Sequence, residues 1–275
     1  IKKNNPDIIQ SWMYHAEFLT IFIRMMMNNK IYWNLRNSTP YSNTFKLKTK
    51  LLVFINSIFS HIIPNKIISC STKASDSHIK IGYCRKKIIN IFNGVDTKKF
   101  KIKKKNNQKN IKIGCVARWH SQKDHINLFK SLQLLIKNNF TDWRCFLAGK
   151  GLDQNNSHLT ELIKRYKLKK YIKLMGPLSN IKKFYNKLDI LILPSKDGEG
   201  FPNVLAEAYA SGIMCISTNV GDARRIIIDK NYLVQPSNEK KLYMSMARML
   251  KDNNLKNYAY KSKLRHMIKV KFSIN

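Results

Sequence analysis

Two carboxylates stand eight positions apart in the segment GEGFPNVLAEAYASG, residues 198–212. Glu199 precedes a Gly-Phe-Pro-Asn turn, and Glu207 lies about one helical turn inside the helix that this turn predicts. A glycoside hydrolase would use such a pair as acid and nucleophile, about 5 Å apart. Alternatively, the two carboxylates hold hydroxyl groups at the two ends of one elongated ligand.

The turn between the carboxylates predicts a seat for an anion. Pro202 fixes φ at the start of the helix, and Gly200 permits the backbone to approach a ligand closely. The first amides of the helix, around Phe201, Asn203 and Val204, then point at the anion, with the positive end of the helix dipole behind them.

Two cations and a glycine turn add to this chemistry. Arg118 and Lys123 follow one predicted strand and suit a diphosphate. In so basic a chain solvated surface charges are the alternative, and the position at the carboxyl end of a strand favours the functional interpretation. Gly149 and Gly151 form a tight turn after the next strand, which by itself is a weak signal. A phosphate seat with two cations favours a sugar diphosphate ligand over a glycosidase substrate.

Apolar runs of strand and helix type alternate through the second half of the chain. This alternation predicts a doubly wound α/β domain, whose ligands lie beyond the carboxyl ends of the strands. The candidate residues all follow predicted strands. The predicted strands cover 110–118, 143–151, 171–176, 189–195 and 213–219, and the predicted helices cover 125–139, 157–167, 179–187 and 203–211.

The first hundred residues alternate in the same way and predict a second parallel sheet covered on both faces. A Lys- and Asn-rich stretch after Gly94 is too polar and unpatterned for a core and predicts a linker. The predicted strands cover 7–12, 30–36, 66–71 and 86–94, with helices around 15–28 and 46–62. The predicted domains are a partial first domain at 1–96, a basic linker at 97–110, a second domain at 111–255 and a tail at 256–275.

The chain is strongly basic, with 51 Lys and Arg against 16 Asp and Glu and a formal net charge of +35. Such a charge suits nucleic acid, an anionic membrane surface or an anionic substrate, and a general bias towards Lys, Asn and Ile explains it equally well. No nucleic-acid-binding module is recognisable, and aromatic residues do not alternate with the basic runs. We therefore expect no nucleic-acid partner and keep a nucleic-acid-binding protein as the weaker alternative.

The five cysteines predict an intracellular protein without disulfides. They are odd in number and scattered, without a Cys-x-x-Cys pair, so buried structural thiols are expected and no metal site is readable. The apolar stretches 18–27 and 51–63 are too short and too polar to span a bilayer, which needs about 20 apolar residues. We expect a cytoplasmic protein, soluble or peripheral on a membrane.

The run DILILPSKDGEGFPNVLAEAYASGIMCIST, residues 189–218, resembles the signature of retaining GT-B glycosyltransferases of family four, the group 1 type. Glu199 and Glu207 match its pattern of Glu, seven residues, Glu. IFNGVDTKKF (91–100) is similar to the family's hinge between lobes, and IGCVARWHSQKDH (113–125) matches the segment whose Arg and Lys neutralise the donor diphosphate. The resemblance covers most of residues 60–250.

The resemblance implies an α/β protein of GT-B fold, with two Rossmann-like doubly wound domains facing a cleft and the first domain incomplete. It implies transfer of a hexose-type sugar, with retention of configuration, from a UDP- or GDP-linked donor to a glycan or lipid-linked acceptor. The setting would be synthesis of lipopolysaccharide, another surface polysaccharide or a glycolipid at the inner face of the plasma membrane, where anionic lipid is a further partner.

The resemblance also implies roles for the site residues. Glu199 contacts the transferred sugar, Glu207 the ribose, and the segment 176–190, which includes Leu178, holds the nucleobase. Arg118 and Lys123 stabilise the departing diphosphate, so no metal cofactor is expected.

The chain departs from the family pattern in its first domain. Many relatives place a catalytic His after the second strand of this region, where Arg36 and Asn37 stand here. His15 is a candidate substitute, and a core or helix-start His is the alternative. The family's first strands and its final crossing-back helix are not matched, so we expect a chain shortened at both ends. An inactive fragment that keeps only donor binding is therefore an alternative function.

Overall fold

A computed structural model describes residues 4, 6–41, 46–103 and 110–274. The chain divides into two compact units, with the boundary between Asn93 and Gly94. The first unit also includes Asp197–Phe201, a short excursion of the chain out of the second unit.

The first unit is built on four parallel strands in the order β1-β2-β3-β4. Because each connection runs to the next strand in the same direction, right-handed crossovers place the described helices of this unit on one face of its sheet. The prediction that helices cover both faces is therefore wrong for the residues that the structure describes in this unit. The strands are β1 (Ile8–Trp12), β2 (Lys30–Leu35), β3 (Lys66–Ser69) and β4 (Ile88–Asn90), and the helices are α1 (Met13–Met26), α2 (Leu47–Phe59) and α3 (Thr72–Lys80).

The core of the first unit lies between β2 and the helix layer. Ile31, Trp33 and Leu35 alternate along β2 and are almost fully buried, as the period of two of a strand requires. The sequence predicted β1, β2, α1 and α2 to within a few residues but missed α3. That helix is polar, with the sequence TKASDSHIK, and begins where the Ser71 side chain accepts a hydrogen bond from the Ala74 amide.

The second unit confirms the predicted doubly wound sheet. Its six parallel strands lie in the order β10-β9-β8-β5-β6-β7, so the chain winds outward in both directions from the adjacent strands β5 and β8. The strands are β5 (Ile111–Val116), β6 (Trp143–Ala148), β7 (Ile172–Gly176), β8 (Ile190–Leu193), β9 (Met214–Thr218) and β10 (Leu233–Val234). The helices are α4 (His125–Lys137), α5 (Ser157–Arg165), α6 (Ile181–Tyr185), α7 (Asn203–Ala210), α8 (Ala223–Ile226), α9 (Glu239–Leu250) and α10 (Tyr258–Phe272).

The central strands β8 and β9 of the second unit are buried throughout because helices cover both of their faces. Helix starts are fixed by side-chain caps: Asp124 accepts from the Asn127 amide at α4, and Asn156 accepts from the Leu159 amide at α5.

The predicted linker at 97–110 needs a correction at its beginning. Phe100 is only 4% exposed and packs its ring against Tyr185 of the second unit. The Arg265 guanidinium donates to the carbonyls of Thr97, Phe100 and Ala210, which holds this segment against α7 and α10. Because the surrounding sequence is rich in Lys and Asn, the sequence analysis did not recognise Phe100 as a buried aromatic residue. The remaining linker residues 104–109 lie outside the described residues.

The predicted C-terminal tail is mostly the helix α10, which belongs to the second unit. Its end pairs with the start of that unit, since the Val95 amide donates to the Phe272 carbonyl at 2.7 Å. Four cysteines are buried and Cys84 is half-buried, in agreement with structural thiols. Among the described residues, no helix combines the length and the apolar character needed to cross a bilayer.

Candidate functional site

The order of strands in the second unit defines where a ligand can bind. β5 and β8 are neighbours at the point where the winding direction reverses, and ligands of doubly wound sheets bind beyond the carboxyl ends of such strands. The loops that leave these two strands are joined directly, because the Lys196 amide donates to the Gln122 carbonyl at 2.8 Å.

Arg118 and Lys123 lie in the loop after β5. Arg118 is exposed, with its guanidinium 3.5 Å from the side-chain oxygen of Gln122. Lys123 ends a short 3-10 turn and is followed by Asp124, which adopts a left-handed conformation with φ of 46° and caps α4. This backbone arrangement places both cations between the strand end and the first turn of the next helix, as the sequence predicted.

Gly149 and Gly151 occupy the loop after β6, where the neighbouring β5 loop approaches very closely. A Cβ atom on Gly149, at φ of +139°, would lie 2.0 Å from the Ala117 carbonyl oxygen, and one on Gly151 would lie 3.0 Å from the Trp119 Cβ. The Trp119 amide also donates to the Lys150 carbonyl at 2.8 Å. The glycines are thus required by the contact between two loops, and their contact with a ligand stays a prediction.

The start of α7 has the features of an anion seat. Pro202 precedes the first helical residue and supplies no side-chain cap, and no acidic residue lies in the first turn. Asn203 is exposed and Val204 is half-buried, so the first turn of the helix is accessible. The amide of Leu205 is hydrogen-bonded to the Pro202 carbonyl at 3.1 Å. The first turn of α7 therefore carries no acidic side chain of its own at the positive end of the helix dipole.

Glu207 faces a specific partner from α6. Its carboxylate accepts a hydrogen bond of 2.8 Å from the Tyr185 hydroxyl. Burial raises the pKa of Glu207, and the Tyr185 hydrogen bond and the Lys99 charge act in the opposite direction. Burial also raises the pKa of Tyr185 well above its ordinary value, so this phenol remains a donor. One oxygen of the Glu207 carboxylate, Oε2, is thus held by Tyr185, and the side chain is partly exposed.

Sequence reasoning missed Tyr185 and Lys99 as neighbours of Glu207. Tyr185 lies in the segment 176–190, which the resemblance assigns to the nucleobase. Its position at the end of a short helix was the one feature of the sequence that could have indicated a contact with Glu207. Leu178 of that segment follows β7 and is half-buried. Lys99 was hidden in the supposed linker, which the structure packs against this unit.

Glu199, Gly200 and Phe201 belong to the first unit. The Gly198 amide donates to the Thr39 hydroxyl at 3.0 Å, and the Phe201 ring lies 6.3 Å from that of Phe92. A Cβ atom on Gly200 would lie 2.7 Å from the Arg36 carbonyl oxygen, so only glycine fits there. The structure therefore places Glu199 in the first unit and Glu207 in the second.

The structure also describes His15 and the two residues, Arg36 and Asn37, that stand where many relatives have a catalytic His. His15 is exposed in the first turn of α1, so it is not a buried core histidine. Arg36 donates to the Asn93 side chain at 2.7 Å and lies 4.7 Å above the Trp12 ring, and Asn37 receives a bond from the Thr39 amide. Arg36 and Asn37 thus organise the loop after β2. Within the described ranges, no three His, Cys, Asp or Glu side chains are grouped so that they could hold a metal ion.

The fold defines a two-unit α/β protein whose second unit is a doubly wound parallel sheet. The family model for glycosyl transferases group 1 matches residues 96–266, which is more than half of the chain. The chain belongs to this family.

Curated relatives match parts of the chain. An exopolysaccharide phosphotransferase of Streptomyces coelicolor is 31% identical over 116 residues, which are 41% of this chain and 12% of the relative. The lipopolysaccharide core biosynthesis mannosyltransferase LpsB of Rhizobium meliloti is 29% identical over 143 residues, 48% of this chain and 40% of the relative. The matches thus span less than half the length of these relatives.

Solved structures agree on the fold. HepE of Anabaena, in complex with UDP-glucose, superposes with a TM-score of 0.83 at 18% identity over 97% of this chain and 75% of that one. Sucrose-phosphate synthase of Thermosynechococcus elongatus superposes with a TM-score of 0.83 at 15% identity over 99% and 71%. At such identities the comparison establishes the fold, which is GT-B.

Proposed function

We propose that the chain transfers a hexose-type sugar from a nucleoside-diphosphate sugar to a glycan or lipid-linked acceptor, with retention of configuration. The observation that carries the proposal is the pairing of the Arg118–Lys123 loop with the segment leading to α7, at the switch point of the second sheet. Two cations and a helix start whose first turn contains no acidic residue suit a diphosphate at that place.

The proposed roles follow the chemistry of each group. The Glu207 carboxylate, oriented by Tyr185, accepts hydrogen bonds from the ribose hydroxyls. Arg118, Lys123 and the amides of α7 neutralise the departing diphosphate, so we propose that transfer requires no metal ion. Glu199 contacts the transferred sugar, and the loop of Leu178 contacts the base. UDP is the first nucleotide to test, because HepE was crystallised with UDP-glucose, and GDP is the second.

We propose synthesis of a surface polysaccharide or glycolipid as the setting. Relatives named for exopolysaccharide and lipopolysaccharide core biosynthesis support this setting. A lipid-linked acceptor would bring the protein to the inner face of the plasma membrane as a peripheral protein, and the net charge of +35 favours anionic lipid there.

Thermal unfolding with UDP, GDP and ADP tests donor binding. A nucleotide at about 100 times its Kd adds about 2.7 kcal/mol to the free energy of unfolding. We expect one nucleotide to raise the Tm of the parent chain and to lose most of this effect in Glu207→Gln. The matched control is Glu161→Gln, which removes the same charge from the exposed face of α5 and should respond like the parent. A folded parent chain that responds to no nucleotide contradicts the proposal.

A further inference from the structure

The outward positions of α1 and α2 in the first unit are apolar. In α2 every exposed residue except Lys48 is a large hydrophobic residue, and in α1 every one except His15. Leu47 is 82% exposed and Met25 is 81% exposed. The large exposed hydrophobic residues, here called the α1/α2 face, are Leu19, Phe22, Met25 and Met26 of α1 and Leu47, Leu51, Phe54 and Ile58 of α2.

The spacing of these residues makes them continuous stripes. Leu19, Phe22 and Met26 of α1 recur at intervals of three and four, and Leu51, Phe54 and Ile58 of α2 do the same. Residues so spaced lie on one side of a helix. Since α1 and α2 pack side by side on one face of the first sheet, their exposed stripes point away from the sheet. Scattered surface hydrophobics are ordinary, whereas two apolar stripes on helices that pack together indicate an interaction surface.

The charged side chains on the segment that carries this face have one sign. The sequence contains no Asp or Glu between Phe18 and Ser75. The only carboxylate of the two helices, Glu17, is fully buried. Cations stand at the helix ends: Arg24 in the last turn of α1, and Lys46 and Lys48 at the start of α2. The face thus combines an apolar centre with a cationic border.

We propose that the α1/α2 face lies in the headgroup and upper acyl region of a bilayer that contains anionic lipid. Amphipathic helices with apolar residues on one side and Lys or Arg beside them bind such interfaces by apolar burial and by attraction to the lipid charge. A second copy of the chain is a poorer occupant, because two such faces would bring the same cations together. The biological purpose rests on the proposed function: a lipid-linked acceptor would reach the enzyme at this surface.

Co-sedimentation of the full chain with vesicles tests the inference. Vesicles of phosphatidylcholine mixed with phosphatidylglycerol should bind the parent chain more tightly than pure phosphatidylcholine, and added salt should weaken the binding. The double variant Leu51→Gln/Phe54→Gln should bind about tenfold less tightly or worse. The matched control is Met244→Gln/Val270→Gln, which removes exposed apolar side chains of the second unit, 58% and 68% exposed, and should bind like the parent.

A second readout reports insertion directly. The chain has four native tryptophans, so the signal is the difference between the Phe54→Trp variant and the parent. This difference should shift to shorter wavelength on mixed vesicles, and lipids brominated on the acyl chains should quench it. Equal vesicle binding by the two double variants, or a Phe54→Trp signal that vesicles leave unchanged, overturns the inference. A soluble dimer that Leu51→Gln/Phe54→Gln dissociates, with no vesicle binding by the parent, assigns the face to a second copy instead.

Nucleotide binding separates this inference from the proposed function. The thermal shift with UDP or GDP is expected to be the same in Leu51→Gln/Phe54→Gln as in the parent, which also shows that the variant is folded. Loss of vesicle binding with an intact nucleotide response is the expected result. A parent chain that binds mixed vesicles through the α1/α2 face but responds to no nucleotide would support the membrane-binding surface and contradict the proposed transferase function.

Discussion

The two units share an architecture but distribute polar and apolar side chains in opposite ways. In the second unit the exposed positions of α9 are Lys240, Lys241, Met244 and Arg248, and those of α5 are mostly charged. In the first unit α1 and α2 expose hydrophobic residues and bury Glu17 and Asn56 completely. A layer of helices on a parallel sheet can therefore fold with either distribution. The outward residues report on the surroundings of each unit rather than on its fold.

The buried polar groups of the first unit form a connected cluster. The Asn56 amide donates to the Glu17 carboxylate at 3.3 Å and to the Tyr14 carbonyl at 2.9 Å. The Tyr14 hydroxyl lies 3.1 Å from His78 Nε2, and His78 Nδ1 lies 2.7 Å from the Ala74 carbonyl. Since a carbonyl can only accept, Nδ1 carries the proton and Nε2 accepts from Tyr14. His78 is thus a neutral imidazole tying α1 to α3.

The largest expected effect comes from removing the centre of this cluster. Glu17→Ala leaves the Asn56 amide without its carboxylate partner and opens a cavity in a core that excludes water, so we expect a loss of about 2–4 kcal/mol in the free energy of unfolding. Urea denaturation measures it, and hydrogen exchange at β2 should show that the first unit is the one affected.

Glu17→Gln is the control, because it keeps the shape and a hydrogen-bonding oxygen for Asn56. Its expected cost is less than about 1.5 kcal/mol. If Gln cost as much as Ala, the carboxyl group would have a role that a neutral amide cannot fill.

A pH effect of intermediate size distinguishes the first unit. Burial raises the pKa of Glu17 from 4.5 to about 8, so between these values the folded chain holds a proton that the unfolded chain has lost. Raising the pH therefore lowers stability, by up to about 1.4 kcal/mol per pH unit. Burial lowers the pKa of His78 from 6.5 to about 4, which has the opposite sign: stability falls as the pH drops below 6.5.

The two groups oppose each other at acidic pH, and only Glu17 acts between pH 6.5 and 8. We expect the free energy of unfolding of the first unit to fall across this interval in the parent chain and to stay nearly level in Glu17→Gln. Urea titrations at both ends of the interval measure the difference. A parent and variant with equal pH dependence would show that Glu17 ionises normally.

Much of the second unit was predictable because its signals are local and repeated. Apolar strands of four to six residues between glycine turns and capped helices predicted the doubly wound sheet, and Glu207 and Arg118 were placed at the correct elements. What the sequence hid depends on contacts between distant residues. The Tyr185–Glu207 hydrogen bond joins residues in two helices, and Phe100 anchors a segment whose neighbours are nearly all Lys or Asn.

The first unit shows a different limit. The apolar periodicity of α1 and α2 was read correctly as helix, but periodicity does not reveal which apolar residues face the core. Both sides of these helices carry hydrophobic residues: Val53 is fully buried, whereas Phe54 is 53% exposed. Which side of α2 faces the core becomes clear only from the structure, in which Val53 belongs to the same buried cluster as Trp33 of β2. The sequence therefore predicted the helices and missed the α1/α2 face.

The smallest expected effects come from single surface positions, one apolar in the first unit and one charged in the second. Leu19→Gln on the α1/α2 face and Glu161→Gln on α5 should each change the free energy of unfolding by less than about 0.5 kcal/mol. Leu19 is 59% exposed, and the Glu161–Arg165 ion pair, at 3.0 Å, is exposed on both sides. Only Leu19→Gln should weaken binding to vesicles that contain phosphatidylglycerol.

The free energy of unfolding of Leu19→Gln shows whether Leu19 is exposed to water in solution. Replacing an exposed apolar side chain by a polar one changes the free energy of unfolding little. A loss well above about 1 kcal/mol in Leu19→Gln would therefore mean that another surface covers Leu19 in solution. Glu161→Gln calibrates the method, because an exposed pair one helical turn apart contributes only a few tenths of a kcal/mol. Unchanged stability with weakened vesicle binding assigns the apolar side of the first unit to lipid, and the charged side of the second to water.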